Sequence, residues 1–308
     1  MYGLTFTRCR ATYLPKNRLR VHAHPAKAFL WLPFLLGWMV DDGLAVEKLD
    51  LQTALRQGVV QAEFTSSGGS SETCMSVKLR NKGSKSVELT IPAGIQLAHP
   101  DVQDILVTRE SVIALAPNAQ TTASLYGFCL EPSSDTPSTG DRFTLVTDQA
   151  HADKWKALAS ILSQKNLSPD EEQSVVWAST EDFPLAGLRV NEVAHPDLVE
   201  WLEETREEEL PCYRLDYGEL TNRRFDQQLI EVRGILQYAA EDDFRRSTLV
   251  VRAPDGEIVM TVFDGDPIEA GTYYRFRFNI RGSMLERGTY TMVLSSGETV
   301  LKTVEIAV

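Results

Sequence analysis

The sequence predicts a mainly β protein with a helical unit, in chain order a β-sandwich, helices and an Ig-like β-sandwich. Three observations carry this reading. Short alternating segments separated by turn residues fill residues 46–140, helical spacing replaces alternation over 141–210, and alternation returns over 227–308 after a connector at 211–226. At 308 residues and 43% apolar, the chain is long enough for several ordinary cores.

Residues 1–45 read as a signal peptide. Basic residues through Lys27 precede AFLWLPFLLGWMV, residues 28–40, a 13-residue run broken only by Pro33 and Gly37. That is short for a bilayer span and suits the core of an export signal. Gly43-Leu44-Ala45 supplies small residues for cleavage after Ala45. Asp41 and Asp42 beside that point fit a buried cytosolic helix better, and the long lead-in suggests a start codon downstream of Met1. The expected location is secreted, periplasmic or at the cell surface, with no stable membrane span once the signal is removed.

Charge narrows the partners. The chain carries −12 formally, but residues 1–45 hold six basic residues against Asp41 and Asp42, so the remainder carries −16. Such a surface repels phosphate backbones, and the linear sequence shows no basic stripe or aromatic platform to offset it, so nucleic acid is not expected as a partner.

In the first unit, EKLDLQTALRQGVVQAEF reads as two short strands, or a short helix and a strand. Ser66 to Ser71 is a flexible turn. Met75, Val77 and Leu79, then Val87, Leu89 and Ile91, alternate around Asn81-Lys82-Gly83-Ser84, which predicts a hairpin. DILVTR, SVIALAP and TASLYGFCL supply further strands, and this density of short strands predicts a sandwich.

Past SSDTPSTG, Trp155, Leu158, Ala159 and Leu162 form one helical stripe. Ser168-Pro169-Asp170-Glu171 combines a capping Ser, a Pro at the first helical position and a Glu three residues after the cap, which starts a second helix. A third begins near His195-Pro196, with Leu198, Trp201 and Leu202 inward and the acidic run EETREEE as a solvated face. Trp155, Trp177 and Trp201 are expected to be buried against one another or against the first sandwich.

The last unit reads as a seven-strand-type Ig-like sandwich in outline, with six strand segments legible from QLIEVRGILQYA to TVLKTVEIAV. Pro254-Asp255-Gly256 and Ser295-Ser296-Gly297 are its hairpin turns. The span LVVRAPDGEIVMTVFDGDPIEAGTYYRFRFNIRGSMLERGTYTMVLSSGETVLKTVEIAV resembles the Ig-like domains of flagellar hook-capping proteins and the C-terminal sorting domains of type IX secreted proteins. The likeness rests on the DGEIV turn, the AGTY and RGTY segments and Lys302, and covers about a fifth of the chain. It implies passage across an outer membrane or assembly onto a surface structure. RNKGSKSVELTIPAGIQL with QDILVTRESVIALAPNAQTTASLYGFCLEP resembles secreted bacterial β-sandwich modules that present surfaces rather than catalytic pockets.

Cys74, Cys129 and Cys212 remain after signal removal, an odd count. A Cys74–Cys129 disulfide within the first sandwich would close a loop of about 55 residues and contribute roughly 2–4 kcal/mol. Buried or surface thiols are the other plain reading. GFCLEP, followed by a helix carrying Gln173-Ser174-Val175-Val176-Trp177, is similar to the thioester domains of bacterial surface adhesins. That likeness implies a reactive Cys129, but the family takes its Gln from a later strand; Gln227, Gln228 and Gln237 are available and unassigned.

No catalytic residue, metal-ligand set or cofactor motif is identified. His99, His151 and His195 stand in separate segments without ligand spacing, and the acidic turns lack an EF-hand pattern. The expected function is an exported, non-enzymatic binding or assembly protein whose partner is a protein or glycan at the cell surface. The alternatives are a covalent thioester adhesin using Cys129, and a hydrolase with a carboxylate pair in a cleft between the first two units.

Overall fold

The structure is a computed structural model that describes residues 46–147, 150–180, 182–218 and 228–308. The export-signal residues and Gln227 lie outside the described residues. Among the described residues, no helix is long and apolar enough to cross a membrane. Residues 46–308 form one compact unit, mainly β with a helical unit, as the sequence predicts.

The first sandwich faces a three-stranded sheet with a seven-stranded one. Strand β1 (Glu47–Asp50) runs into helix α1 (Leu51–Arg56), which Asp50 caps by accepting the Thr53 amide at 2.9 Å. β1 pairs in parallel with β4 (Val87–Ile91), and β4 pairs with β7 (Ser111–Leu115). The larger sheet runs β8 (Gln120–Leu125), β3 (Met75–Asn81), β2 (Val60–Ser66), β10 (Arg142–Leu145), β5 (Gln96–Ala98), β6 (Ile105–Val107), β9 (Gly127–Cys129). Met75, Val77 and Leu79 point between the sheets to meet Val87, Leu89 and Ile91, all essentially without solvent exposure. This is what their alternation requires.

Two expectations are corrected here. β3 and β4 are not a hairpin: each belongs to a different sheet, so the turn between them crosses the sandwich. Buried Asn81 makes that crossing, because its amide donates to the carbonyls of Lys85, Leu115 and Ala116 while its oxygen accepts the Gly83 amide. The first unit also extends past residue 140, since β10 joins β2 to β5.

Helices α2 (Ala152–Ser163), α3 (Pro169–Ala178) and α4 (Pro196–Arg206) pack on the β6–β9 end of that sheet. The capping box at Ser168 and Glu171 forms as read. Trp155 and Trp177 are buried and Trp201 is half-buried, in one cluster with Leu106, Phe128 and Leu130 of the sandwich. Their apolar stripes thus become the joint between the two units. Arg206 ties α4 to the end of α3 by donating to the carbonyls of Ala178, Thr180 and Phe183.

The last sandwich sets β11 (Tyr213–Asp216), β12 (Glu231–Ala239) and β15 (Tyr273–Arg281) against β14 (Ile258–Ile268), β13 (Phe244–Arg252), β16 (Thr289–Ser296) and β17 (Thr299–Ala307). The stretch expected to be a plain connector contains the seventh strand, β11, whose Tyr213 and Leu215 are buried. Four residues are too few to display an alternation that reads as a strand in sequence.

Candidate binding face

Alternation along β15 sorts its residues into two rows. Tyr274, Phe276, Phe278 and Ile280 turn into the sandwich, where the Phe263 and Phe276 ring centroids stand 4.9 Å apart. Tyr273, Arg275, Arg277, Asn279 and Arg281 turn outward and are exposed. The register sets Arg233 beside Asn279, Ile235 beside Arg277 and Gln237 beside Arg275, while Arg214 of β11 lies next to Arg233. Arginines two residues apart on one strand stand about 7 Å apart. Neighbouring strands therefore assemble a basic face that the linear sequence hides, which corrects the reading that no basic stripe exists.

Little neutralises this face. Glu231 serves Arg233 at 3.5 Å and accepts the Asn279 side-chain amide at 2.9 Å, and Arg214 pairs with Glu192. Among the described residues, Arg275, Arg277 and Arg281 have no carboxylate within ion-pair distance. At the Arg281 end the face dips into a depression of about 600 Å³ lined by Ile230, Glu231, Asn279, Arg281 and Ser283 among others.

β15 is also an edge. The Gly282 amide donates to the Ile230 carbonyl at 2.7 Å and the Ala240 amide to the Thr272 carbonyl at 3.0 Å. With an unbroken register between them, the even-numbered residues of β15 exchange bonds with β12. The amides and carbonyls of Arg275, Arg277, Asn279 and Arg281 therefore point away from the sheet, and no described strand pairs with them. One set of residues thus presents guanidinium groups on the face and unpaired backbone at the rim.

The cysteines sit elsewhere, and Cys74 and Cys129 are buried thiols without a disulfide. The Cys129 amide bonds to the Ser70 carbonyl and the Gly127 amide to that of Glu72. The Cys74 thiol donates instead to the Gly127 carbonyl at 3.5 Å. Burial pushes the Cys74 thiol up to about 12, and burial, then the neighbouring Cys74, Glu131 and Asp104, push Cys129 well above the ordinary range. Gln173 is the glutamine that meets Cys129: its side-chain amide donates to the Cys129 carbonyl at 2.9 Å. Phe128 packs with the helices while Cys129 packs in the sandwich core, so the thiol turns away from α3. Gln237 lies on β12 and accepts from the Tyr273 hydroxyl, and Gln228 borders the depression.

A carboxylate pair does lie between the first two units. Glu131 accepts the Asp104 amide at 2.5 Å, and Asp104 accepts the Gln96 side-chain amide at 2.7 Å and the His99 amide at 3.0 Å. Gln96 in turn accepts the Trp155 indole N–H at 3.2 Å. The pair is thereby built into the joint. Burial first, then Asp104, push Glu131 up to about 7. Native Glu131 therefore holds a proton that the unfolded chain releases near pH 4.5, so stability is full below about 4.5 and falls as pH rises through about 7. Because water still reaches this carboxyl, the expected loss is about 1–2 kcal/mol. Urea melts at pH 5 and pH 8 measure it, and Glu131→Gln flattens the difference if Glu131 is its source.

The described residues contain no group of three or more His, Cys, Asp or Glu that could hold a metal ion. Fold and site together define a mainly β protein with an arginine-faced edge strand. No family model matches the chain, and no curated protein matches it.

Proposed function

We propose that this is an exported, non-enzymatic binding and assembly protein that works at a cell surface and meets an anionic partner through the outer face of β15. One observation carries the reading: Arg275, Arg277 and Arg281 form an exposed row with no carboxylate within ion-pair distance among the described residues, in a chain of net charge −12. Charges kept unpaired on one face are free to pair with a partner, and the surrounding acidity confines attraction to that face.

Heparin, a sulfated glycan, tests the face. The protein is expected to be retained on a heparin column at low ionic strength and released as salt screens the contact, while R275E/R277E elutes well ahead of it. Equal elution of the two proteins would remove the support for this reading.

A further inference from the structure

From the same face, and resting on the binding reading above, we infer that the partner is an extended acidic peptide that adds to β15 as a fourth strand of the β11-β12-β15 sheet. Two requirements of strand addition meet in the same residues. The outward amides and carbonyls of Arg275, Arg277, Asn279 and Arg281 supply a ladder, as the parity of the β12–β15 bonds requires. Their side chains then stand beside the added strand, alternate residues of which fall on the arginine face. Carboxylates at every second position of the incoming chain meet guanidinium groups about one residue pair apart.

Other strands of this sandwich are blunted in ways that β15 is not. β11 has only four residues, and β14 contains Pro267 and pairs with β13 through four register shifts. On β17, the Ala307 amide is taken by the Tyr213 hydroxyl at 3.0 Å. Short length, proline, bulges and capping are the usual means of closing an edge. β15 runs nine residues in unbroken register with none of them. Charge is another means of closing an edge, and arginines that served only to repel strands would not select acidic ones.

Four probes separate the outcomes: a nonapeptide alternating Glu and Thr, its Lys-Thr counterpart, the Glu-Thr peptide N-methylated at every residue, which keeps the charge but has no backbone donor for a ladder, and heparin. The expected order is Glu-Thr at least tenfold tighter than its N-methylated form, no binding of Lys-Thr, and at least a tenfold loss of Glu-Thr affinity in R275E/R277E with an unchanged far-UV spectrum. Equal binding of the N-methylated and unmodified Glu-Thr peptides, or binding of heparin alone, would overturn strand addition and leave the anion-binding face standing. If none of the four binds, both readings fall. If R275E/R277E instead self-associates while the wild-type protein ignores every probe, the arginines only guard the edge.

Discussion

Trp177→Ala is expected to lower the unfolding free energy by about 3–5 kcal/mol. Trp177 has no solvent exposure and its ring lies tilted at 5.6 Å from that of Phe183, inside the cluster that joins α3 to Phe128, Leu106 and Leu130 of the first sandwich. Truncation removes a large apolar surface and opens a cavity where α2, α3, α4 and the sheet meet, a site that cannot collapse without moving several elements. Chemical denaturation measures the loss. Trp177→Phe, which keeps most of the volume, should lose markedly less. A change below about 1 kcal/mol for the alanine variant would mean that the helices are not held through this cluster.

Arg109→Met is expected to cost about 3–5 kcal/mol at pH 8. Arg109 donates two bonds to Glu172, at 2.8 and 2.9 Å, and its guanidinium lies 5.0 Å from the centre of the Tyr126 ring. The Glu172 side chain is only 1% exposed, so its charge has little water to fall back on. Burial pushes the Glu172 carboxyl up, and Arg109 offsets part of that push. Without the arginine, Glu172 folds cheaply only when protonated, so the penalty should shrink as pH falls toward 5. The double variant R109M/E172M should recover most of the loss, because two apolar residues leave no charge stranded. A single-variant penalty independent of pH would show that Arg109 acts through packing alone.

Sequence patterns worked where one element decides its own environment. The capping box at Ser168, the stripes of Trp155 and Trp177, and the turns at Pro254-Asp255-Gly256 and Ser295-Ser296-Gly297 are local features, and each forms where its residues predict. What stayed hidden depends on which strands become neighbours. The fate of Asn81, a hairpin turn by composition and a crossing between sheets in fact, is set by carbonyls at Leu115 and Ala116. The Asp104–Glu131 pair and the Arg109–Glu172 pair join residues 27 and 63 positions apart, which no spacing rule can couple.

The arginine face falls between these cases. Its signal was present in YYRFRFNIR, where every second residue after Tyr273 is Arg or Asn. Read for its aromatic row, the segment is a core strand; read for the other row, it is a basic stripe. Only the pairing of β12 and β15 places Arg233 beside that row and leaves its outer rim unpaired.

Hydrogen exchange along β15 tests the open edge most directly, because it needs no ligand. The amides of Arg275, Arg277, Asn279 and Arg281 should exchange fast, near the rate of exposed backbone, while those of Tyr274, Phe276, Phe278 and Ile280 are protected by β12. Slow exchange at both sets in the free protein would mean that the rim is already paired, and with that the binding face proposed here would lose its ladder.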